Sequence, residues 1–567
     1  MEGSWRERAG SSFETSKHEV VASEVVIASN HPLASAAGME MIARGGNAID
    51  AAIATAFALT VVEPMMVSIF GAGLMNVRDG KTGEIVNVDN YAVAPKAARP
   101  DMYRPLEGAE DPLTTVDREN EVGYRAVGVP GALPAWAAIL AERGRLALAA
   151  VMAPAIRYAA EGYLVSPYLA NCIQASAADL ARFPASAAVF LPNGAPPKPG
   201  DRIVRRDYAR TLELIAREGP GAFTQGQIAE LVAADMAKNG GLIAVDDLAS
   251  YRFARRTPVR GTYRGYEIVS VAPTSSGGTH IVQALNILEG FDLTRSGFGT
   301  AATIHLLAET LAIAFVDRAA YMGDPAFVDV PVEWLTSKEY AAERRGQIDL
   351  RRASHFAAGE RPIDRESANT THLTVMDREG NVVAMTQTLH ALFGSKVTVP
   401  GTGMLLNNNM WLFDPRPGRP NSVAPGKRML SSMSPTIILK DGQPCFAIGT
   451  PGGTRIFPAV LQAIVNVIDH GMSLQEAVEA PRVWTDGSVL EVEDGIPEAV
   501  RADLAELGHS VRVVPRVAGG MNGVMRDSRT GLLHGAACWR ADGTPLGMSG
   551  GFTQRIATPG VPTTSGP

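Results

Sequence analysis

The spacing of apolar residues changes character near residue 370. Upstream, residues 34–62 are alanine-rich and broken by Gly45-Gly46. Asn47 can then cap a second helix that Pro64 stops, so a helical hairpin is predicted. Gly71-Ala72-Gly73 opens a turn before an apolar run at 74–77, and alternation around 85–88 predicts a paired strand. Helical spacing recurs at 132–141, 148–160 and 302–321, whereas 184–200, with four prolines after Leu191, reads as surface loop. Downstream, β-type runs at 371–376 and 382–389 flank residues 377–381, a hairpin signal. Runs at 436–439 and 445–448 are bridged by Asp441-Gly442, and a glycine-rich turn at 449–454 leads into a helix predicted over 455–469. Strands followed by helices predict layered sheets flanked by helices, an α+β architecture. The closing ATPGVPTTSGP reads as a flexible tail.

Composition narrows the function classes. A chain of 567 residues can bury a large core, and 46% hydrophobic with 20% charged residues describes a compact body with many tight turns. The formal charge of -7 is spread along the chain and offers no basic stripe, which excludes a nucleic-acid partner. Cys172, Cys445 and Cys538 lie far apart without metal-ligand spacing, so neither a disulfide framework nor a zinc site is expected, and they read as small buried hydrophobes. The first residues carry charges and no apolar h-region, and the apolar stretch 51–62 is too short to span a bilayer. A cytoplasmic protein without a membrane partner is the expectation.

Two familiar chemistries lack their residues. The turn at 449–454 resembles a phosphate cradle, but it has neither the Gly-Lys-Ser/Thr ending of a P-loop nor dinucleotide spacing. No Gly-x-Ser-x-Gly elbow with a downstream Asp and His is present, and no His-Glu-x-x-His. What remains is ESANTTHLTVMD from Glu366, in which a small-polar loop delivers Thr370, Thr371 and His372 to the start of a strand. By themselves the threonines read as ordinary strand residues and His372 as a packed core residue.

That segment resembles the processing site of the gamma-glutamyltransferase family, and matching stretches follow in order along most of the chain. They include RGGNAIDAA from Arg44, APTSSGGTHIVQALNILEGFDL from Ala272, YMGDPAFVDVP from Tyr321, LLNNNM from Leu405, KRMLSSMSPTI from Lys427 and GTPGGTRI from Gly449. The resemblance implies an N-terminal-nucleophile hydrolase with a four-layer αββα core. It implies self-cleavage between Asn369 and Thr370 into a large chain (1–369) and a small chain (370–567) that share one catalytic domain. It further implies Thr370 as nucleophile with its freed α-amine as base, Thr388 as the neighbouring hydroxyl, and Gly452 and Gly453 as oxyanion donors. Ser431 and Ser432 match the family's carboxylate-holding serines, and Asn409 falls among its substrate-binding positions. No cofactor or metal is called for. The implied partners are a small amide substrate, a water or amine acceptor and the chain's own cleaved half in an αβ heterodimer, with a dimer of such pairs left open.

The chain departs from the family where a γ-glutamyl head would be held. A buried α-carboxylate and α-ammonium each need opposite charge or well-placed hydrogen bonds. The family's arginine for the carboxylate aligns with Tyr91 in VDNYAVAP, while its asparagine and acid for the ammonium align with His390 and Leu412. Losing one such charge-assisted contact costs about 1.5 to 3 kcal/mol. Asp414, Lys427 and Arg455 are the candidate substitutes. The chain is also short between Pro420 and Lys427, where some relatives carry a lid loop, which implies an open site for bulky leaving groups. Three readings follow. The first is an acylase with altered acyl specificity, acting on a dicarboxylic monoamide or aromatic acyl amide; the second is an ordinary gamma-glutamyltransferase acting on glutathione; the third is a silent binding protein on the same fold.

Overall fold

The computed structural model describes residues 4–109, 111–354, 356 and 369–552. The tail expected at the C-terminus and most of the loop preceding Asn369 lie outside these residues. Thirteen strands build the central sheets: β1 Val20–Ser29, β2 Ala72–Arg78, β3 Ile85–Asp89, β4 Ala254–Arg256, β5 Val259–Tyr263, β6 Tyr266–Ser270, β7 Asn369–Asp377, β8 Val382–His390, β9 Thr436–Lys440, β10 Gln443–Gly449, β11 Asn522–Arg526, β12 Leu533–Ala537 and β13 Leu546–Phe552. The order is β4-β3-β2-β8-β7-β1-β12-β11-β10-β9-β6-β5, with β13 also on β1. Strand β1 joins two halves by changing partner. Its residues Val20 to Ala22 pair with β12, while Val25 to Ser29 pair with β7.

The two halves face one another across an apolar layer in which Val26, Ala28, Met376, Val382 and Ala384 meet Ile437, Leu439, Ala447 and Val524. The alternate residues Leu373, Val375, Val383 and Met385 face outward into a helical layer with Ala48, Phe57 and Leu59. On the far side Ile268, Ile438, Phe446 and Ile448 pack on helices Gly277–Leu288, Ala301–Tyr321 and Ile456–Ile468. Period-two alternation with both faces covered thus gives the four-layer αββα arrangement that the resemblance implied. Every residue of β8 is buried for the same reason.

The N-terminal hairpin forms as its signals predict. Helix α1 (Pro32–Ala43) ends before Gly45, whose φ of 86° suits only glycine comfortably. Asn47 then caps α2 (Ala48–Val62): its Oδ1 accepts from Ile49 N and Asp50 N, and Asp50 Oδ2 accepts from Asn47 N in return. All fifteen residues of α2 are buried. It is therefore a core helix rather than an amphipathic one. Asp441 and Gly442 both have positive φ (51° and 74°), the two-residue turn that matches strand twist between β9 and β10.

Helices at Ala132–Arg143, Leu148–Glu161 and Ala301–Tyr321 agree with the spacing. One expectation fails: 184–200 is not all loop, because Pro184–Phe190 is a helix with Pro184 in its first turn, followed by a 3-10 turn at Pro192–Gly194. Proline there costs no hydrogen bond, and Phe190 packs against Phe393 with ring centroids 5.0 Å apart. Of the cysteines, Cys172 and Cys538 are buried and Cys445 is half-buried; all three are free thiols. Among the described residues no helix is long and apolar enough to cross a membrane.

Candidate functional site

Strands β7 and β8 pair regularly from Met376↔Val382 to Thr371↔Gln387, then break register before Asn369↔His390. Thr370 and Thr388 occupy that break. Both are buried, and the Thr370 hydroxyl donates to Thr388 Oγ1 at 3.2 Å. The Thr388 oxygen also accepts from His390 N at 2.7 Å, and His390 has φ 82° to turn the chain there. Thr388 pairs with Ala72, and a Cβ on the preceding Gly71 would stand 2.6 Å from the Thr388 carbonyl oxygen, so this strand end is closely backed.

The glycine-rich turn is brought to the same place. A Cβ at Gly449 would lie 2.4 Å from Cε1 of His372, two residues beyond Thr370. The His372 ring nitrogens stand 2.8 and 2.9 Å from the hydroxyls of Thr386 and Thr374, and burial pulls its pKa down to about 3. It is a neutral core residue, as its sequence context suggested. Gly452 has φ 148° and Gly453 φ 58°. A Cβ on Gly452 would approach that of Ala518 to 2.7 Å, so glycine is required there on both counts. Gly453 opens the 3-10 turn Gly453–Arg455 that runs into Ile456–Ile468, placing free backbone N–H groups at a positive helix end.

The three asparagines of LLNNNM divide their work. Asn407 donates to the carbonyls of Phe70 and Gly128 and accepts from Gly128 N, all at 2.9 Å. Asn408 donates to Glu121 O and accepts from Ala391 N. By contrast, among the described residues neither side-chain atom of buried Asn409 has a hydrogen-bond partner, and the buried Ser432 hydroxyl has none. Desolvated amide and hydroxyl groups left open in this way are what a ligand's polar groups satisfy. Ser431 is used structurally: its carbonyl accepts from Ser276 N and Oγ, and its hydroxyl from Met433 N at 3.2 Å.

Tyr91 and Leu412 belong to one buried apolar cluster with Leu74, Met410, Phe413, Met429 and Met433. His390 is buried with its ring 5.3 Å from Trp411, and burial, aided by the Lys396 charge, pulls its pKa down to about 3. Leu412 carries no charge, and burial keeps the His390 ring neutral near neutral pH. The candidate substitutes are committed elsewhere. Asp414 lies 3.7 Å from Arg416 and 3.5 Å from Arg419. Lys427 Nζ donates to the carbonyls of Pro420 and Ser422. Arg455 makes two 2.9 Å bonds to Glu491 and stacks on Trp484.

Sequence reasoning missed Glu63, the residue before the Pro64 that stops the second helix. Helix α2 delivers it beneath β7, where Thr371 donates to its Oε2 at 2.5 Å, and Asn30 Nδ2 reaches the same hydroxyl at 3.4 Å. Burial pushes the Glu63 carboxyl up to about 8. No local signal marks a residue 308 positions from its partner.

A family model described as gamma-glutamyltranspeptidase matches residues 34–548. The Acylase ACY 1 proenzyme of Pseudomonas sp. (strain SE83) is 54% identical over 96% of this chain and 97% of its own length. The glutathione hydrolase proenzyme of Bacillus subtilis (strain 168) is 38% identical over 95% and 94%. Among solved structures, cephalosporin acylase from Bacillus halodurans superposes with a TM-score of 0.86 at 33% identity, over 95% of this chain and 98% of that one.

Proposed function

Because the chain belongs to the gamma-glutamyltranspeptidase family of enzymes, we propose that it is a self-processing amide acylase whose Thr370 nucleophile accepts acyl groups lacking the α-amino-acid head. In the first reaction the Thr370 hydroxyl attacks the Asn369 carbonyl, and the acyl group moves from nitrogen to oxygen. Water hydrolyses the ester, leaving an Asn369 carboxylate and a free Thr370 amine. That amine then takes the hydroxyl proton as Thr370 attacks a substrate amide. Thr388 holds the nucleophile's rotamer, and the backbone N–H groups of Gly452 and Gly453 stabilise the oxyanion. The leaving amine departs with a proton, and water or another amine releases the acyl group.

The observation that carries the specificity is the apolar cluster that holds both Tyr91 and Leu412. An α-ammonium beside Leu412 would lose its water without compensation, and Asp414, Lys427 and Arg455 already have partners. Asn409 and Ser432 offer neutral hydrogen bonds to the acyl chain. The short connection between Pro420 and Lys427 leaves room for a bulky leaving group. The comparison of kcat/KM for a glutaryl anilide and a γ-glutamyl anilide tests this reading. The glutaryl substrate is expected to be preferred, and Tyr91→Arg combined with Leu412→Asp is expected to shift preference toward γ-glutamyl. A strong preference of the unaltered enzyme for γ-glutamyl anilide and glutathione would make it an ordinary glutathione hydrolase, the reading that its 38% identity to such an enzyme favours.

A further inference from the structure

Outside this site, three potential metal ligands converge on the outer helical layer. His305 and Glu309 lie one turn apart on Ala301–Tyr321, and the chain following helix Glu498–Glu506 brings His509 against them. One ligand atom from each lies within 4.8 Å of the others. His305 Nδ1 is 2.8 Å from His509 Nε2, and His305 Nε2 is 2.8 Å from the Asp349 carbonyl oxygen. A nitrogen facing a carbonyl carries the proton, so the His305 Nδ1 lone pair points into the cluster. A backbone carbonyl that fixes the tautomer in this way is the support a metal-ligating imidazole requires. Both Glu309 oxygens face Ser354 N, at 3.2 and 3.0 Å, which holds the carboxylate in place beside the two rings. His305 and Glu309 are buried while His509 is half-exposed, so an ion has a route in.

We infer that His305, Glu309 and His509 form a binding site for a divalent transition-metal ion of the zinc type. Two imidazoles and one carboxylate suit zinc, with water as the fourth ligand. Metal–nitrogen bonds of about 2.0 Å in tetrahedral geometry set the two nitrogens roughly 3.3 Å apart. The rings therefore part slightly, and His509 moves its proton from Nε2 to Nδ1. None of the three residues belongs to the acylase site. With a cut after Asn369, two ligands lie in the large chain and one in the small, so the ion ties the halves together. The spacing of the first pair stood in the sequence as His-x-x-x-Glu, but the third ligand is separated by some two hundred residues, which is why composition and spacing predicted no metal.

The protein is stripped with a chelator, dialysed and titrated with zinc alone by calorimetry, and in parallel with cobalt, whose visible absorption reports four-coordination. One ion per 567-residue protein, intense cobalt bands and a higher Tm with zinc are expected. His509→Gln, altered at the half-exposed ligand so that folding is retained, and His305→Gln should each weaken zinc binding by at least about 100-fold and abolish the cobalt bands. No binding by the unaltered protein overturns the inference. Zinc stoichiometry and Tm shift that survive in both variants overturn it equally, since the ion then sits elsewhere.

Discussion

The hydroxyl of Thr370 stands 3.2 Å from that of Thr388, across the one break in register between β7 and β8. A regular ladder would place neighbouring side chains directly opposite. The break instead lets the Thr388 oxygen serve the Thr370 hydroxyl and the His390 N–H together, which fixes both the Thr370 rotamer and the strand's exit.

Processing follows from that pair. The purified protein is expected as two fragments, residues 1–369 and 370–567, the second beginning Thr-Thr-His. Thr370→Ala should remain a single chain on a denaturing gel, while Thr370→Ser should still be cut. Intact-mass measurement checks this, and fragments of the same mass from Thr370→Ala would exclude the intramolecular mechanism. Thr388→Ala should be cut slowly and lose about 10- to 100-fold in kcat, with Thr388→Ser retaining most of it, since one positioning hydrogen bond is removed and then restored.

The oxyanion role proposed for the glycine turn is separable from its folding role. In Gly452→Ala the new Cβ meets Ala518 and a φ of 148° is strained, which displaces the adjacent N–H groups. A fall in kcat of about 100-fold with little change in KM is expected. Gly471→Ala is the control, because Gly471 also has positive φ (68°) but open space around it. It should lower Tm and leave kcat alone. Equal kcat in the two variants would remove Gly452 from the mechanism.

Ser432→Ala should separate binding from stability. The hydroxyl is buried without a partner among the described residues, so its loss leaves Tm unchanged or raises it. Its absence should nevertheless raise KM for an acyl anilide several-fold. A lowered Tm with unchanged KM would make Ser432 a structural residue only.

The pH profile of stability has two opposed sources. Burial raises Glu63 to about 8, so its protonated form favours folding up to the ordinary carboxylate range near 4.5, and this contribution is lost as pH rises toward 8. Burial depresses His372 and His390 to about 3, so their contribution is present above about 6.5 and is lost as pH falls toward 3. Denaturant melts at intervals from pH 4 to 9 should show a maximum between these limbs. Glu63→Gln should flatten the alkaline limb alone, and an unaltered alkaline limb in that variant would show that Glu63 is ionised in the fold.

The sequence by itself determined whatever local hydrogen bonding and periodicity govern. Asn47 before an apolar run gives a capped helix, Asp441-Gly442 gives a tight turn, and β-type runs at 371–376 and 382–389 joined by residues 377–381 give a hairpin. It pointed to Thr370, Thr388, Gly452 and Gly453 as one set only through the family resemblance, because their spacing alone is ordinary. Tertiary structure decided the rest. Only packing places Tyr91 and Leu412 in one apolar cluster, closes Asp414, Lys427 and Arg455 into other bonds, and leaves Asn409 and Ser432 open. Only packing sets Glu63 beneath Thr371 and His509 against His305. The physical reason is range: a cap or a turn is satisfied within four residues. The charge state of a buried carboxyl and the freedom of a buried amide depend on which distant groups the fold removes from water.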